Sequence, residues 1–182
     1  MSAPEKPTAT VVHVLNGLAF GGNEALCLQL VRHAPPHARH VILNLNPSNQ
    51  DMRSLFEDAG ATLVSAAYRR KQRLRSVRQW LYFFRQQRPD AVIIYPFGLH
   101  LWVGLAAQLA GISVIVARAG NPVPDDAAAR RKWRMLLWAS CRLNIPIQSC
   151  SQAVHQSLAQ LGKLPNGSGA IPNGCDVDAI AR

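Results

Sequence analysis

A glycine pair near the N-terminus is the first feature of this sequence that could do chemistry. Gly21 and Gly22 follow the apolar run Val11–Leu15 and open a segment of helical period, with Glu24 close behind. Glycines let a backbone approach a ligand closely, and the amides at a helix N-terminus attract phosphate. The spacing leaves two interpretations open, a phosphate-binding turn or merely a tight turn.

This turn lacks the features of a dinucleotide-binding site. Its sequence is not G-x-G-x-x-G. The second apolar run also offers Asn44 where a dinucleotide enzyme needs an acidic side chain for the ribose. These departures argue against an NAD-dependent dehydrogenase.

The histidines and cysteines do not indicate a metal site. His33, His37 and His40 have a metal-like spacing, but Pro35 and Pro36 break the helix that would align them. We interpret this segment as a solvated connection. The cysteines lie far apart without a C-x-x-C pair, so we expect reduced, structural thiols. They are Cys27, Cys141, Cys150 and Cys175.

Short β-branched runs alternate with longer stretches of helical period along the chain. This alternation is typical of βαβ units around a parallel sheet, which binds ligands at the carboxyl ends of its strands. We predict one Rossmann-like, doubly wound α/β domain. The predicted strands are Val11–Leu15, His40–Leu45, Ala61–Ser65, Ala91–Tyr95, Ile112–Ala117, Ile145–Cys150 and Gly169–Ile171. The predicted helices span about 23–33, 50–59, 71–87, 99–110, 125–143 and 151–161.

The chain is strongly basic. Twenty Lys and Arg against ten Asp and Glu give a formal net charge of +10, which implies attraction to phosphate in nucleotides, nucleic acid or lipid headgroups. No signal peptide is recognisable, and no apolar run approaches the roughly 18 residues of a membrane-spanning helix. We expect a cytoplasmic protein, and contact with the inner face of the membrane is a hypothesis that depends on where the cations lie.

The cations form two clusters, one at the start of the third helix and one in the fifth. The first is Arg69, Arg70, Lys71, Arg73, Arg75 and Arg78, beside the apolar stripe Leu74, Val77, Leu81 and Phe84. The second is Arg130, Arg131, Lys132 and Arg134, interleaved with Trp133 and Trp138. Such surfaces are typical of contact with anionic lipid. In the alternative interpretation the stripe packs on the sheet and the arginines are solvated. Nucleic acid is disfavoured, because no nucleic-acid module pattern is present.

Three segments together resemble the N-terminal domain of family 4 (group 1) glycosyltransferases, which have the GT-B fold. They are VVHVLNGLAFGGNEAL, RPDAVIIYPFGLHLWVGLAAQLAGISVIVAR and AIPNGCDVD. Their order and spacing carry the resemblance, which covers nearly the whole chain. It implies a single acceptor-side domain over 1–170, the start of an interdomain hinge over 171–182, and a C-terminal donor domain absent from this chain.

The resemblance also implies roles for individual residues. Gly21 and Gly22 match the family loop that approaches the donor diphosphate. Glu24 matches the acid at the start of its helix, which we expect to bind the acceptor. Asn173 and Gly174 match the hinge.

The catalytic position of the family is altered in this sequence. Many relatives place a histidine just after the fourth strand, where this chain has Ile93 and Tyr95. Tyr95 and the nearby His100 are therefore the candidate catalytic residues, although His100 fits equally well as a helix residue packed against the domain. Arg118 and Asn121 follow the fifth predicted strand and are candidates for holding an acceptor hydroxyl or phosphate.

The family resemblance implies a retaining hexosyl transfer from a nucleotide sugar to a glycan or lipid-linked acceptor, in surface polysaccharide or glycolipid synthesis. The nucleotide sugar would be a substrate, with no tightly bound cofactor. Relatives grip this donor with an E-x7-E pair, whereas the only glutamates here are Glu5, Glu24 and Glu57. We therefore expect this chain alone to be inactive. The alternative is a non-catalytic Rossmann-like module that docks on a membrane or partner.

Overall fold

Strands and helices alternate through the computed structural model, which describes residues 9–174 of the chain. The strands are β1 (Ala9–Leu15), β2 (Ala38–Asn44), β3 (Thr62–Ser65), β4 (Ala91–Ile94), β5 (Val114–Ala119), β6 (Ile147–Ser149) and β7 (Gly169–Ala170). The helices are α1 (Gly22–Arg32), α2 (Arg53–Asp58), α3 (Arg73–Gln87), α4 (His100–Leu109), α5 (Ala127–Arg142) and α6 (Gln152–Ala159). A 3₁₀ turn, Arg70–Gln72, leads into α3. The predicted alternation is confirmed.

All seven strands form one parallel sheet in the order β3-β2-β1-β4-β5-β6-β7. The chain builds outward from β1 to β3 and then crosses back to place β4 beside β1. This reversal is the topological switch point of a doubly wound sheet, where ligands bind in the crevice at the carboxyl ends of the strands. The Rossmann-like α/β fold is thereby established.

The helix termini follow local rules that the sequence already displays. The Ser151 hydroxyl accepts a hydrogen bond from the Val154 amide at 3.2 Å and caps α6. The Asp126 carboxylate accepts from the Ala129 amide at 2.6 Å and caps α5. Gly111 ends the α4 segment with a φ of +88°, a conformation that glycine adopts without a Cβ penalty.

Two apolar clusters cover the two faces of the sheet. One packs α3, α4, α5 and α6 against alternate residues of the central strands, including Val12, Val92 and Ala117. The other packs α1 and α2 against Leu15 and Ile42. The second face is therefore covered by helices over β1 and β2, whereas Val114 on β5 remains 52% exposed.

The fifth strand lies two residues later than the sequence predicted. It was expected over Ile112–Ala117 but runs from Val114 to Ala119. The Ile112 amide bonds the Ala107 carbonyl at 3.1 Å, so Ile112 completes the end of α4 and is buried there. Arg118 consequently lies within the strand and not in the loop that follows it.

Three of the four cysteines and the first residues of the predicted hinge lie within the described part of the chain. Cys27, Cys141 and Cys150 are free among the described residues. Cys175 and the predicted hinge residues 175–182 lie outside the described residues. No helix within 9–174 is both long enough and apolar enough to cross a membrane.

Trp80 anchors α3 to the sheet and provides a test of this packing. It has no exposed surface, stacks on Tyr68, and donates from its indole nitrogen to the Ala66 carbonyl at 3.4 Å. Trp80→Ala should lower the free energy of unfolding by about 3–5 kcal/mol, because it leaves a large cavity. Leu74→Ala on the same helix, at a side chain 81% exposed, should cost about 0.5 kcal/mol or less. Urea denaturation measures both, and equal losses would contradict this arrangement of α3.

Candidate functional site

The candidate site lies at the carboxyl ends of β1, β4 and β5. These neighbouring strands are parallel, so the segments that follow them gather at one edge of the sheet. The segments after β1 and β5 meet there, since a Cβ placed on Gly120 would lie 3.3 Å from the Asn23 side-chain oxygen. The topology thus brings the glycine pair, Tyr95 and Arg118 to one region.

The glycine pair forms the start of α1. Gly21 is the N-cap with extended backbone, φ −153° and ψ 163°, and no side chain caps the first turn. A Cβ added to Gly22 would meet no atom within 4 Å. The preceding loop is pinned, because the Leu18 amide bonds the Asn49 carbonyl at 3.2 Å and the Met52 amide bonds the Leu18 carbonyl at 2.8 Å. An uncapped helix N-terminus behind a fixed, exposed glycine turn suits an anionic ligand.

Glu24 folds back over this turn. A Cβ on Gly21 would lie 2.6 Å from a carboxylate oxygen of Glu24, so glycine makes room for that side chain. The carboxyl is half-buried; burial raises its pKa, and its own backbone amide opposes the rise. The carboxyl therefore lies beside the first turn of α1. Its predicted contact with an acceptor stays a prediction.

Tyr95 belongs to a buried network of hydrogen-bonded side chains beneath α1. Its hydroxyl lies 3.1 Å from Nδ1 of His13, and Nε2 of His13 lies 2.9 Å from Nδ1 of His40. The rings of His13 and His40 stack with centroids 5.2 Å apart. These hydrogen bonds join β1, β2 and the residue that follows β4, and the Cys27 side chain of α1 lies in the same buried cluster as Tyr95.

Burial keeps this network uncharged. It lowers the pKa of His13 to about 3, with the neighbouring His40 contributing, and it also lowers the pKa of His40. Burial raises the pKa of Cys27 to about 12 and that of Tyr95 well above its usual range. At neutral pH each group therefore keeps its uncharged form. A neutral imidazole donates at one nitrogen and accepts at the other, so His13 links its two neighbours in either direction.

His100 is a packed helix residue. It has no exposed surface, its Nδ1 accepts from the Gly98 amide at 3.0 Å, and its Nε2 donates to the Ser140 hydroxyl at 2.8 Å. Ser140 donates in turn to the Leu136 carbonyl at 2.8 Å. Burial lowers the pKa of His100 to about 4. Every polar atom of the ring is occupied, and the residue ties α4 to α5.

The catalytic roles of Tyr95 and His100 stay predictions. Tyr95 is only 2% exposed and His100 is fully buried, so neither side chain presents a free polar group to a substrate. The sequence could not distinguish a polar side chain directed into the crevice from one directed under a helix. For His100, the contacts are those of the packed residue that was the alternative interpretation.

Arg118 and Asn121 occupy different environments. Arg118 is 7% exposed, and its Nη2 donates to the Ile171 carbonyl at 3.4 Å and to the side-chain oxygen of Asn173. Asn121 lies exposed in the loop after β5. Asn173 and Gly174 are exposed and irregular. The predicted hinge therefore begins in contact with the predicted acceptor residue.

Three further polar residues were not identified from the sequence. His13 interrupts the apolar run of β1, and that interruption was the available signal. His40 begins the second predicted strand and lies in β2, but its contact with His13 was not predicted. Gln148 stands beside Arg118 on β6, a pairing that no local pattern reveals. Within 9–174, no group of three or more His, Cys, Asp or Glu is placed to hold a metal ion.

Solved structures share this fold. No protein-family model and no curated protein sequence matches the chain. The Anabaena protein HepE in complex with UDP-glucose matches with a TM-score of 0.76 and 13% identity, over 93% of this chain and 45% of its own. A glycosyltransferase from Rickettsia africae gives 0.71 and 13% over 93% and 44%. The lipopolysaccharide outer core galactosyltransferase WaaB gives 0.63 and 13% over 92% and 46%.

At these identities the similarity establishes the fold. The chain is a single Rossmann-like domain that matches one half of a GT-B structure. It spans less than half the length of each of these three proteins.

The buried histidines predict a pH dependence of stability. Folding lowers the pKa of His13 from 6.5 to about 3 and the pKa of His100 from 6.5 to about 4. Between pH 6.5 and these folded pKa values, the unfolded chain binds more protons than the folded chain. Stability is therefore full above pH 6.5 and falls as the pH drops. Each histidine contributes a slope of about 1.4 kcal/mol per pH unit.

Urea denaturation between pH 7.5 and 5 measures this slope. His100→Gln should reduce the total loss of stability between pH 7.5 and 5 by about 2 kcal/mol, whereas His37→Gln, at an exposed residue, should retain the parent loss. An unchanged slope in His100→Gln would contradict the buried, neutral state of that ring.

Proposed function

We propose that this chain is the acceptor-side half of a glycosyltransferase that uses a nucleotide sugar. The main support is its match, over nearly its whole length, to one half of several glycosyltransferase structures. The uncapped glycine turn at the switch point of the sheet agrees with this proposal, because it is suited to a phosphate. A non-catalytic docking module, the alternative from the sequence, is not favoured by these neighbours.

In this proposal the amides of Gly21 and Gly22 receive the donor diphosphate. The open space around Gly22 and the lack of a side-chain cap support this role. Arg118, Asn121 and Glu24 bind the acceptor, a glycan or a lipid-linked sugar. The resemblance of the sequence motifs extends the proposal to membership of family 4, to transfer of a hexose with retention and to a place in polysaccharide synthesis.

The proposed catalyst requires a second domain for the nucleotide. HepE is described in complex with UDP-glucose, and the present chain covers 45% of that protein. The reading frame beyond Arg182 should therefore encode a donor domain with an E-x7-E pair, connected through the hinge at Asn173 and Gly174. A reading frame without such a domain would favour the docking module.

Gly22 offers a sharp test of donor binding. Gly22→Val in the two-domain protein should reduce sugar transfer from radiolabelled nucleotide sugar by about tenfold or more, because the side chain would occupy the phosphate position. The melting temperature should change little, since a Cβ there meets nothing within 4 Å. Ala25→Val, at an exposed residue of the same helix, is the matched control and should keep activity. The 182-residue chain alone should transfer no sugar, and turnover by it would contradict the division of roles.

A surface of α3 and α5 supports contact of this enzyme half with an anionic membrane. The predicted apolar stripe of α3 faces the core only in part: Phe84 is buried, but Leu74 is 81% exposed among the arginines. On α5, Met135 and Trp138 are 63% and 61% exposed beside further cations. Neither helix contains an acidic residue. Exposed apolar side chains within a cationic surface are not explained by packing on the sheet, and they suit a lipid headgroup region.

Vesicle binding tests the α3–α5 surface. The chain should bind vesicles containing phosphatidylglycerol and not neutral ones, and salt should reverse the binding, since each cation contributes about 1 kcal/mol near an anionic surface. Replacing Arg70, Arg73 and Arg75 with Gln should weaken binding by about tenfold or more without changing the melting temperature. The same loss of charge at exposed Arg32, Arg88 and Lys163 is the matched control. Equal effects of the two triple variants would indicate attraction by net charge alone, and the membrane surface would be rejected.

A further inference from the structure

Arg118 is a buried cation without a carboxylate partner in the described part of the chain. Its neighbours Ala117 and Ala119 point into the larger core, so its guanidinium lies on the opposite face of β5. Only 7% of the residue is exposed. The one ion pair among residues 9–174 joins Arg53 and Glu57. Burying a charge without a countercharge is costly, so an ionic partner is expected at Arg118.

Polar atoms on two adjacent strands lack hydrogen-bond partners at this point. Arg118 and Gln148 are paired in register on β5 and β6. The Nε of Arg118 and the side-chain oxygen of Gln148 are both buried and unpartnered. Gln148 uses its amide nitrogen to donate to the Gly167 carbonyl at 3.1 Å. A donor and an acceptor therefore stand side by side without a ligand from the described residues.

The present partners of Arg118 are neutral and come from one exposed segment. Its Nη2 donates to the carbonyl of Ile171 and the side chain of Asn173. That segment has no regular structure, and Ile171 itself is 54% exposed. A carboxylate or phosphate pairs with a guanidinium more strongly than an amide does, through two parallel hydrogen bonds. Such an anion can replace Asn173.

We propose that Arg118 and Gln148 form a subsite for a sugar that carries an anionic group, either a carboxylate or a phosphate. Arg118 binds the anionic group, and the side-chain oxygen of Gln148 accepts a hydrogen bond from a sugar hydroxyl. Asn173 occupies Arg118 in the absence of this ligand and competes with it. That the bound sugar is the acceptor of transfer rests on the proposed function, whereas its binding to this domain does not.

The subsite is separate from the glycine turn. Only β4 lies between β1 and β5, so the two strands are about 10 Å apart. A donor phosphate at Gly21 and Gly22 and an anionic acceptor at Arg118 can therefore be bound together.

Three sugars that differ only at one carbon test the subsite. The chain is titrated with glucose, glucose 6-phosphate and glucuronate, and binding is followed by amide chemical shifts in nuclear magnetic resonance spectra. We expect the two anionic sugars to bind about tenfold more tightly than glucose. The stronger of the two identifies the anionic group as phosphate or carboxylate. Equal binding of all three sugars would overturn the proposal.

Variants then assign the binding to Arg118. Arg118→Gln should remove the preference for the anionic sugars, and Arg118→Lys, which keeps the charge without the planar fork, should retain part of it. Asn173→Ala should strengthen binding of the anionic sugars, because it removes the competing amide. Arg32→Gln, the same loss of charge at an exposed residue of α1, should leave the preference unchanged.

The outcomes separate the subsite from the proposed enzyme. Loss of the preference in Arg32→Gln, or its retention in Arg118→Gln, would assign binding to the overall positive charge and reject the subsite. If Arg118→Gln does not fold, Asn173→Ala still decides, because unchanged or weaker binding there contradicts competition at Arg118. Sugar transfer by the two-domain protein is measured independently and can succeed when this subsite fails.

Discussion

The parallel pairing of β1 with β4 is the constraint on which the rest of the structure depends. These strands lie side by side in the sheet although two strands and three helices separate them in the chain. Their pairing reverses the direction in which the sheet grows and leaves a crevice at their carboxyl ends. The glycine turn, Tyr95 and Arg118 share one edge of the sheet because of this pairing.

Buried polar contacts hold the elements around that crevice. The chain from Tyr95 through His13 to His40 connects three adjacent strands, and His100 with Ser140 connects α4 to α5. Each link is uncharged, because burial disfavours the charged form of every group involved. His13, Tyr95 and His100 thus use their ring and hydroxyl polar atoms to connect strands and helices.

The arginines of this chain lie in two distinct environments, one exposed to solvent and one buried. Those of α3 are exposed and accompany exposed apolar side chains, so their charge acts collectively and is screened by salt. Arg118 is desolvated and has only neutral partners among residues 9–174. Interactions of a buried guanidinium are directional and weakly screened, which suits recognition of one ligand. Net charge alone does not separate these cases.

The sequence by itself determined the order of elements, the parallel α/β class and the local ends of helices. Hydrophobic period, the Ser151 and Asp126 caps and the position of Gly111 are local signals that operate over a few residues. Tertiary structure alone decided the start of β5, the burial of His100 and the contact of His13 with His40. It also placed Gln148 beside Arg118 and left both without complete hydrogen bonding. These features depend on which strands become neighbours and which face each helix covers, and residues distant in the chain settle both.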